Sequence, residues 1–271
     1  MRTDLIHIIV QYCNDPRPAR AAEYDECLRR NLSNPWIARV HNLSEPQTVV
    51  PTEFSDHPKF SHHLLGHWLT YQDAFKYANE HLSGQFVSLC NLDIFLDSKG
   101  TDWQLASGML DNEIALCLAR WEWLGDGKIQ KDPGLAKRAM ATSQDAWMFR
   151  PPVNIPDCDF EIGLIGCDNA VAERIKRSGL QPINAPNIFR IFHIDAARGK
   201  TFANHAEIHR SEAPRRPPNR LPWSQGQWLL PDISELTSLD LLAAAIKLDE
   251  GQKYAVICEM FNGHYGIQSR K

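Results

Sequence analysis

The chain has 271 residues, enough for one sizeable α/β domain with appendages. Hydrophobic residues make up 43% and charged residues 23%, a globular balance that argues against extended disorder. A net charge of −4 argues against a surface built chiefly to neutralise nucleic-acid phosphates, although a local basic patch is allowed.

Cys13, Cys27, Cys90, Cys117, Cys158, Cys167 and Cys258 form no Cys-x-x-Cys, and several sit in apolar runs as reduced thiols do, which points to a reducing compartment. The apolar start at residues 5–10 is too short for a signal peptide. No apolar run approaches the roughly 20 residues that span a bilayer, so a soluble cytoplasmic protein is expected.

Residues 5–12 read as a first strand, followed by a Pro-containing turn and a helix over 19–32. On that helix Ala22, Cys27 and Leu28 share a face while Arg20, Glu23 and Arg30 are placed outward. Residues 36–43 alternate like a strand. The Pro- and His-containing stretch 46–67 reads as an irregular excursion. Helical spacing returns over 69–82, and Ser83-Gly84 leads into a buried strand at 86–90. Short strands are expected at 114–120, 147–149 and 160–165, a helix over 169–178 closed by Gly179, and a strand over 187–193. Alternating strand and helix predict a sheet that is parallel at its centre. Arg210, Arg215, Arg216 and Arg220 are then interleaved with prolines in a segment, 209–222, that can be neither helix nor central strand. It reads as a linker or an active-site lid before a last helix, 234–248, and a strand, 254–261.

Chemistry concentrates at strand ends. Residues 86–90 run into Asn91-Leu92-Asp93, Asp168 opens a helix, and His193 ends a strand. In open α/β sheets ligands bind outside the carboxyl ends of the strands. Each residue also has a plain structural reading: Asp93 and Asp97 as turn or cap residues, Asp168 as a helix N-cap, His193 as a hydrogen-bonded core histidine. His57, His62, His63 and His67 form the densest histidine cluster but lack a partner at zinc-site spacing, and read as a polar loop. Gly-x-x-x-x-Gly-Lys, Gly-x-Gly-x-x-Gly and Gly-x-Ser-x-Gly are absent, which disfavours P-loop NTPases, Rossmann dehydrogenases and α/β-hydrolases.

The order of a β-α-β-α-β start, an Asn-x-Asp at a strand end, Gly166-Cys167-Asp168-Asn169 opening a helix, Gly179, and a strand ending in His193 resembles glycosyltransferases of the GT-A fold, over roughly residues 5–198. Asn91-Leu92-Asp93-Ile94-Phe95-Leu96-Asp97, Leu118-Ala119-Arg120-Trp121 and Ser143-Gln144-Asp145-Ala146-Trp147 are similar to segments of glycosyltransferase-like proteins of bacteria and plants. The resemblance implies an α/β fold with a Rossmann-like, mostly parallel sheet flanked by helices, in a domain spanning 1–208, with 209–271 packed on it. It implies hexosyl or related sugar transfer from a nucleotide-sugar donor to a hydroxyl acceptor, assisted by Mn2+ or Mg2+. The family's Asp-x-Asp stands here as Asn91-Leu92-Asp93, with an amide in place of one carboxylate, and its Glu-Asp pair as Cys167-Asp168.

On that resemblance Asp93 and His193 are the expected metal ligands and Asp168 the base. Arg120 is placed on phosphate and Asp145 on a sugar hydroxyl, with Trp121 and Trp147 as stacking faces or core residues. Tyr12, Asn14, Arg20, Asn91 and Asn169 complete the donor- and acceptor-binding candidates. The alternatives are a nucleotidyltransferase on a similar sheet and a catalytically silent nucleotide- or carbohydrate-binding protein.

Overall fold

The structure is a computed structural model and describes residues 4–111, 113–125, 129–131, 144–164, 167–186 and 188–196. The expected arginine- and proline-containing segment and the helix and strand after it lie outside the described residues.

The apolar run Ile6–Val10 forms β1, and the helix that follows, α1 (Pro18–Ser33), opens with a proline, whose fixed φ suits a first turn. β2 (Ile37–Ser44) lies parallel to β1. The stretch expected to be irregular instead holds a short helix, α2 (Thr52–Ser55), and an edge strand, β3 (Phe60–Leu64), parallel to β2. β3 buries Phe60 and alternates with exposed positions, so its polar sequence His62-His63 suits an edge but gives little apolar signal.

α3 (Tyr71–His81) begins at a full capping box, in which Thr70 accepts from the Asp73 backbone and Asp73 reaches back to the Thr70 backbone. It leads to β4 (Phe86–Cys90), buried along its whole length, and then to β5 (Ile94–Leu96). α4 (Trp103–Leu110), capped by Asp102, precedes β6 (Ile114–Leu118), β7 (Trp121–Trp123), β8 (Ile129–Lys131) and β9 (Ala146–Phe149). α5 (Cys167–Arg177), β10 (Gln181–Ile183) and β11 (Ile191–His193) complete the described chain.

These elements build two sheets. The large one has seven strands in the order β10-β6-β9-β4-β1-β2-β3. Its pairs β1/β2, β1/β4, β2/β3 and β6/β10 are parallel, and β9 runs antiparallel between β4 and β6. The second has four strands in the order β5-β11-β7-β8. α1 and α4 cover one face of the large sheet, burying Leu28, Leu32, Trp103 and Met109 against Ile6, Ile8 and Phe86. α3 and α5 cover the other, with Phe75, Ala78, Val171 and Ile175 against Ile9, Leu89 and Trp147. The result is a three-layer α/β/α arrangement with a mostly parallel sheet.

Two expected strands differ. Residues 160–164 make only an isolated bridge, Thr70 with Glu161, because Gly163 at φ 86° turns the chain there. The expected strand 187–193 shrinks to β11, since Ile188 and Phe189 are in a turn whose backbone N–H groups both donate to the Ala185 carbonyl. Arg20 and Glu23, placed outward from periodicity, are buried at 1% and 8% exposure.

Candidate functional site

The two sheets meet at one end, and the polar candidates collect at that junction. β4 of the large sheet passes into β5 of the small one through Asn91-Leu92-Asp93, a turn closed by the Ile94 N–H on the Asn91 carbonyl. β6 passes into β7 through Ala119-Arg120. Asp145 precedes the antiparallel β9, its N–H donating to the Leu118 carbonyl and its carbonyl accepting from Asn91 N–H. Carboxyl ends of two strands and the amino end of a third therefore bring Asn91, Asp93, Arg120 and Asp145 together.

The small sheet adds His193. On β11 it pairs with Ile94 of β5 on one side and with Glu122 of β7 on the other. Its ring is 2% exposed as a residue and held at both nitrogens: Nε2 lies 3.1 Å from Asp93 Oδ2 and Nδ1 2.9 Å from Glu122 Oε2. Arg20 of α1 reaches the same Asp93 oxygen and also donates to Glu23 at 2.8 Å, to Asp195 at 3.1 Å and to the Ile194 carbonyl. Arg120 joins Glu122 at 3.0 Å and Asp145 at 2.8 Å, and the Asn91 amide donates to Asp145 Oδ1 at 3.2 Å. A continuous network runs from Glu23 through Arg20, Asp93, His193, Glu122, Arg120 and Asp145 to Asn91.

Charges in this network hold one another. Burial works against the His193 cation, yet Asp93 and the Glu122 hydrogen bond outweigh it and raise its pKa to about 9. Burial would raise Glu122, but His193 and Arg120 lower it to about 2. Burial likewise opposes Arg20 and Arg120, and their carboxylate neighbours more than restore their charge. Two atoms in the network, Arg20 Nε and Asp145 Oδ2, are buried and find no hydrogen-bond partner among the described residues. Buried polar atoms are rarely left so, and a site for a polar ligand is one reason they are.

Asp168 lies in the first turn of α5, where the helix N-terminus favours its negative charge. Burial first, and then the neighbouring Asp168 carboxylate, push the thiol of the adjacent Cys167 up to about 12. That thiol accepts a hydrogen bond from Tyr71 at 3.3 Å.

Other candidates fall elsewhere. Tyr12 is buried, donates from its hydroxyl to Asp25 at 2.6 Å and from its backbone to Asn42 Oδ1 at 2.7 Å. Asn14 is outside the network and clips two loops together, exchanging both amide hydrogen bonds with the Val49 backbone at 2.8 Å. Asn169 is on α5, but its side chain lies outside the described residues. Trp147 is 0% exposed, with its ring edge-on to Tyr71 at 5.1 Å, so it is core and not a stacking face. Trp121 is half-buried, its Nε1 bound to the Pro186 carbonyl at 2.7 Å. Asp97 is a turn residue, accepting from Lys99 and Gly100 N–H and from Arg190. His62 and His63 are on β3 rather than in a loop.

Glu122, Glu23 and Asp195 were not legible as site residues. The available sign for Glu122 was a charge set between two tryptophans, Trp121-Glu122-Trp123.

Among the described residues no group of three or more His, Cys, Asp or Glu side chains could hold a metal ion. The pair Asp93 and His193 fits a smaller share of one. Ligands at about 2.1 Å from a small octahedral cation sit about 3 Å from each other, and such ions commonly take one or two protein ligands and complete their shell with substrate phosphates and water. The 3.1 Å between Asp93 Oδ2 and His193 Nε2 matches neighbouring positions on such an ion. Arg20 contacts the same oxygen and would share it. No described helix is long and apolar enough to cross a membrane.

No protein-family model matches the sequence. No curated protein matches it either. Solved structures do. Residues 1–349 of TarS from S. aureus, in complex with UDP-GlcNAc, are 14% identical with a TM-score of 0.51, over 97% of this chain and 73% of that one. The mannosyltransferase PcManGT from Pyrobaculum calidifontis, in complex with GDP-Man and Mn2+, is 14% identical with a TM-score of 0.49, over 94% of this chain and 80% of that one. The α/β/α core, with its mostly parallel sheet and a second sheet at its carboxyl edge, is a fold of the GT-A glycosyltransferase type.

Proposed function

We propose that the chain transfers a sugar from a nucleotide-sugar donor to a hydroxyl acceptor with the help of a divalent cation, Mn2+ or Mg2+. The observation that carries this reading is the gathering of Asp93, His193, Arg20, Arg120 and Asp145 where the carboxyl ends of β4 and β6 meet the second sheet. That is where α/β sheets bind ligands. The TarS structure of similar fold contains UDP-GlcNAc, and a nucleotide-linked hexose is the donor class proposed here.

The roles follow from charge and reach. Breaking the donor's anomeric bond leaves a nucleoside diphosphate whose growing charge must be met. Asp93 and His193 would hold the cation, which supplies Lewis-acid stabilisation of the departing diphosphate. Arg20 and Arg120 add fixed positive charge, already oriented by carboxylates and therefore in need of little reorganisation. Asp145, with its buried Oδ2 lacking a partner among the described residues, is assigned to a sugar hydroxyl alongside Asn91. Asp168 is assigned to take the proton of the attacking acceptor hydroxyl, in a reaction that inverts configuration. Asn169 is assigned to the donor or acceptor side, while Tyr12 and Asn14 act indirectly, Tyr12 by tying the chain at the end of β1 to Asn42 and Asp25 and Asn14 by holding the loop at Val49.

The Asn91 amide bears on the silent-protein alternative. Its N–H is spent on Asp145, a bond an aspartate could not donate, so its identity answers a local need and does not by itself disarm the site. Incubation with UDP- and GDP-hexoses and Mn2+, and in parallel with nucleoside triphosphates, hexose 1-phosphates and the same ion, tests the proposal. Slow release of nucleoside diphosphate is expected. Release of pyrophosphate from a nucleoside triphosphate and a sugar phosphate would favour a nucleotidyltransferase, and binding without either product a silent module.

A further inference from the structure

We propose that Glu122 is the positioning residue of this site, fixing the His193 imidazole so that Nε2 is presented to Asp93 and to the cation; the proposal rests on the reading of the site given above.

His193 on β11 and Glu122 on β7 are direct partners in a parallel pair, which sends their side chains to the same face of the small sheet. The carboxylate meets Nδ1 at 2.9 Å on the side of the ring away from Asp93. Glu122 is itself held. Its other oxygen accepts from Arg120 Nε at 3.0 Å, which leaves Oε2 directed at the imidazole. Its neighbours on the strand are pinned as well: Trp121 through its bond to the Pro186 carbonyl, Trp123 by edge-on packing against Phe95 at 5.5 Å and Phe192 at 5.6 Å.

An imidazole that ligates a metal through Nε2 must keep its proton on Nδ1, and an acceptor facing Nδ1 selects that tautomer and fixes the ring plane. Glu122 is that acceptor. Without it the ring could turn about χ2 and Nε2 would no longer be held toward Asp93. Removal of such an outer partner weakens metal binding roughly 10- to 100-fold.

The test uses the full chain with Mn2+ and inorganic pyrophosphate, and reads bound Mn2+ by loss of the free-ion electron paramagnetic resonance signal. Two variants separate positioning from charge, because Glu122→Gln and Glu122→Ala both lose the negative charge opposite Arg120 but only Gln keeps an oxygen to accept from Nδ1–H. Affinity roughly 10- to 100-fold weaker in Glu122→Ala, with Glu122→Gln within a few-fold of the parent chain, is the expected result. Unchanged affinity in Glu122→Ala would overturn the proposal, as would equal losses in both variants, which would assign the effect to charge alone. If the parent chain itself fails to bind Mn2+ with pyrophosphate, the cation reading of the site is wrong. Nitrogen-15 NMR of the metal-free chain then decides the positioning role: a slowly exchanging His193 Nδ1 proton kept in Glu122→Gln and lost in Glu122→Ala supports it, and one unaffected in Glu122→Ala refutes it.

Discussion

Single residues in this site serve both fold and function, and substitutions must be read accordingly. Asp93 is a partner of buried Arg20, so Asp93→Ala should cost roughly 1–3 kcal/mol of stability in a urea titration, limited because Glu23 and Asp195 still contact the guanidinium. Asp93→Asn keeps size and an acceptor, and is the better probe: nucleotide-sugar affinity in Mn2+ should fall at least tenfold, and unchanged affinity would remove Asp93 from the donor site. Asn91→Asp should weaken the protein by about 1–3 kcal/mol and leave cation binding unimproved, because it trades a hydrogen bond to Asp145 for a facing like charge. Asp168→Asn should keep its place in the first turn of α5 yet lose turnover, since an amide cannot take a proton. Asp93, Asp168 and His193 stood out in the sequence because each sits at a strand or helix end. Glu122 and Glu23 did not, since their importance comes from partners 71 and 3 residues away that only the folded sheets and α1 bring into line.

Among elements, those with an apolar run or helical spacing were readable, β9 and β6 among them, and most of the second sheet was not. β1, β4, α1 and α3 carry apolar runs or helical spacing that burial on both faces or on one stripe demands, and they fall within a few residues of expectation. The second sheet carries half the site, yet β5, β7 and β8 are three residues each, too short for any period to show, and β11 is only the end of the strand expected over 187–193. β9 gave no sign of running antiparallel, because a buried strand of Ala-Trp-Met-Phe looks the same in either direction. The capping box at Thr70 offers a test confined to one element. Thr70→Ala removes the acceptor for the Asp73 N–H and should cost about 1 kcal/mol in thermal or urea unfolding, with donor binding unchanged.

Across the whole molecule, acid sensitivity should come from the face opposite α1. His7 Nδ1 meets His41 Nε2 at 3.0 Å, His41 Nδ1 meets the Tyr77 hydroxyl at 2.9 Å, and that hydroxyl meets His63 Nε2 at 2.7 Å. Burial first, then His7, His63, Arg39 and His81, lower the His41 pKa from 6.5 to about 3. Below pH 6.5 the unfolded chain takes a proton there that the folded chain refuses, so stability is lost as pH falls from about 6.5 toward 3, at about 1.4 kcal/mol per pH unit for this one group. Unfolding free energies at pH 7 and pH 5 measure it, and His41→Gln should flatten the difference. The junction of the two sheets is the proposed donor site. A crystal structure of the chain with a nucleoside diphosphate and Mn2+ tests it most directly: the account places the diphosphate and the ion against Asp93, His193 and Arg120, and a diphosphate bound elsewhere, with the Arg20–Asp93–His193 contacts untouched, would contradict it.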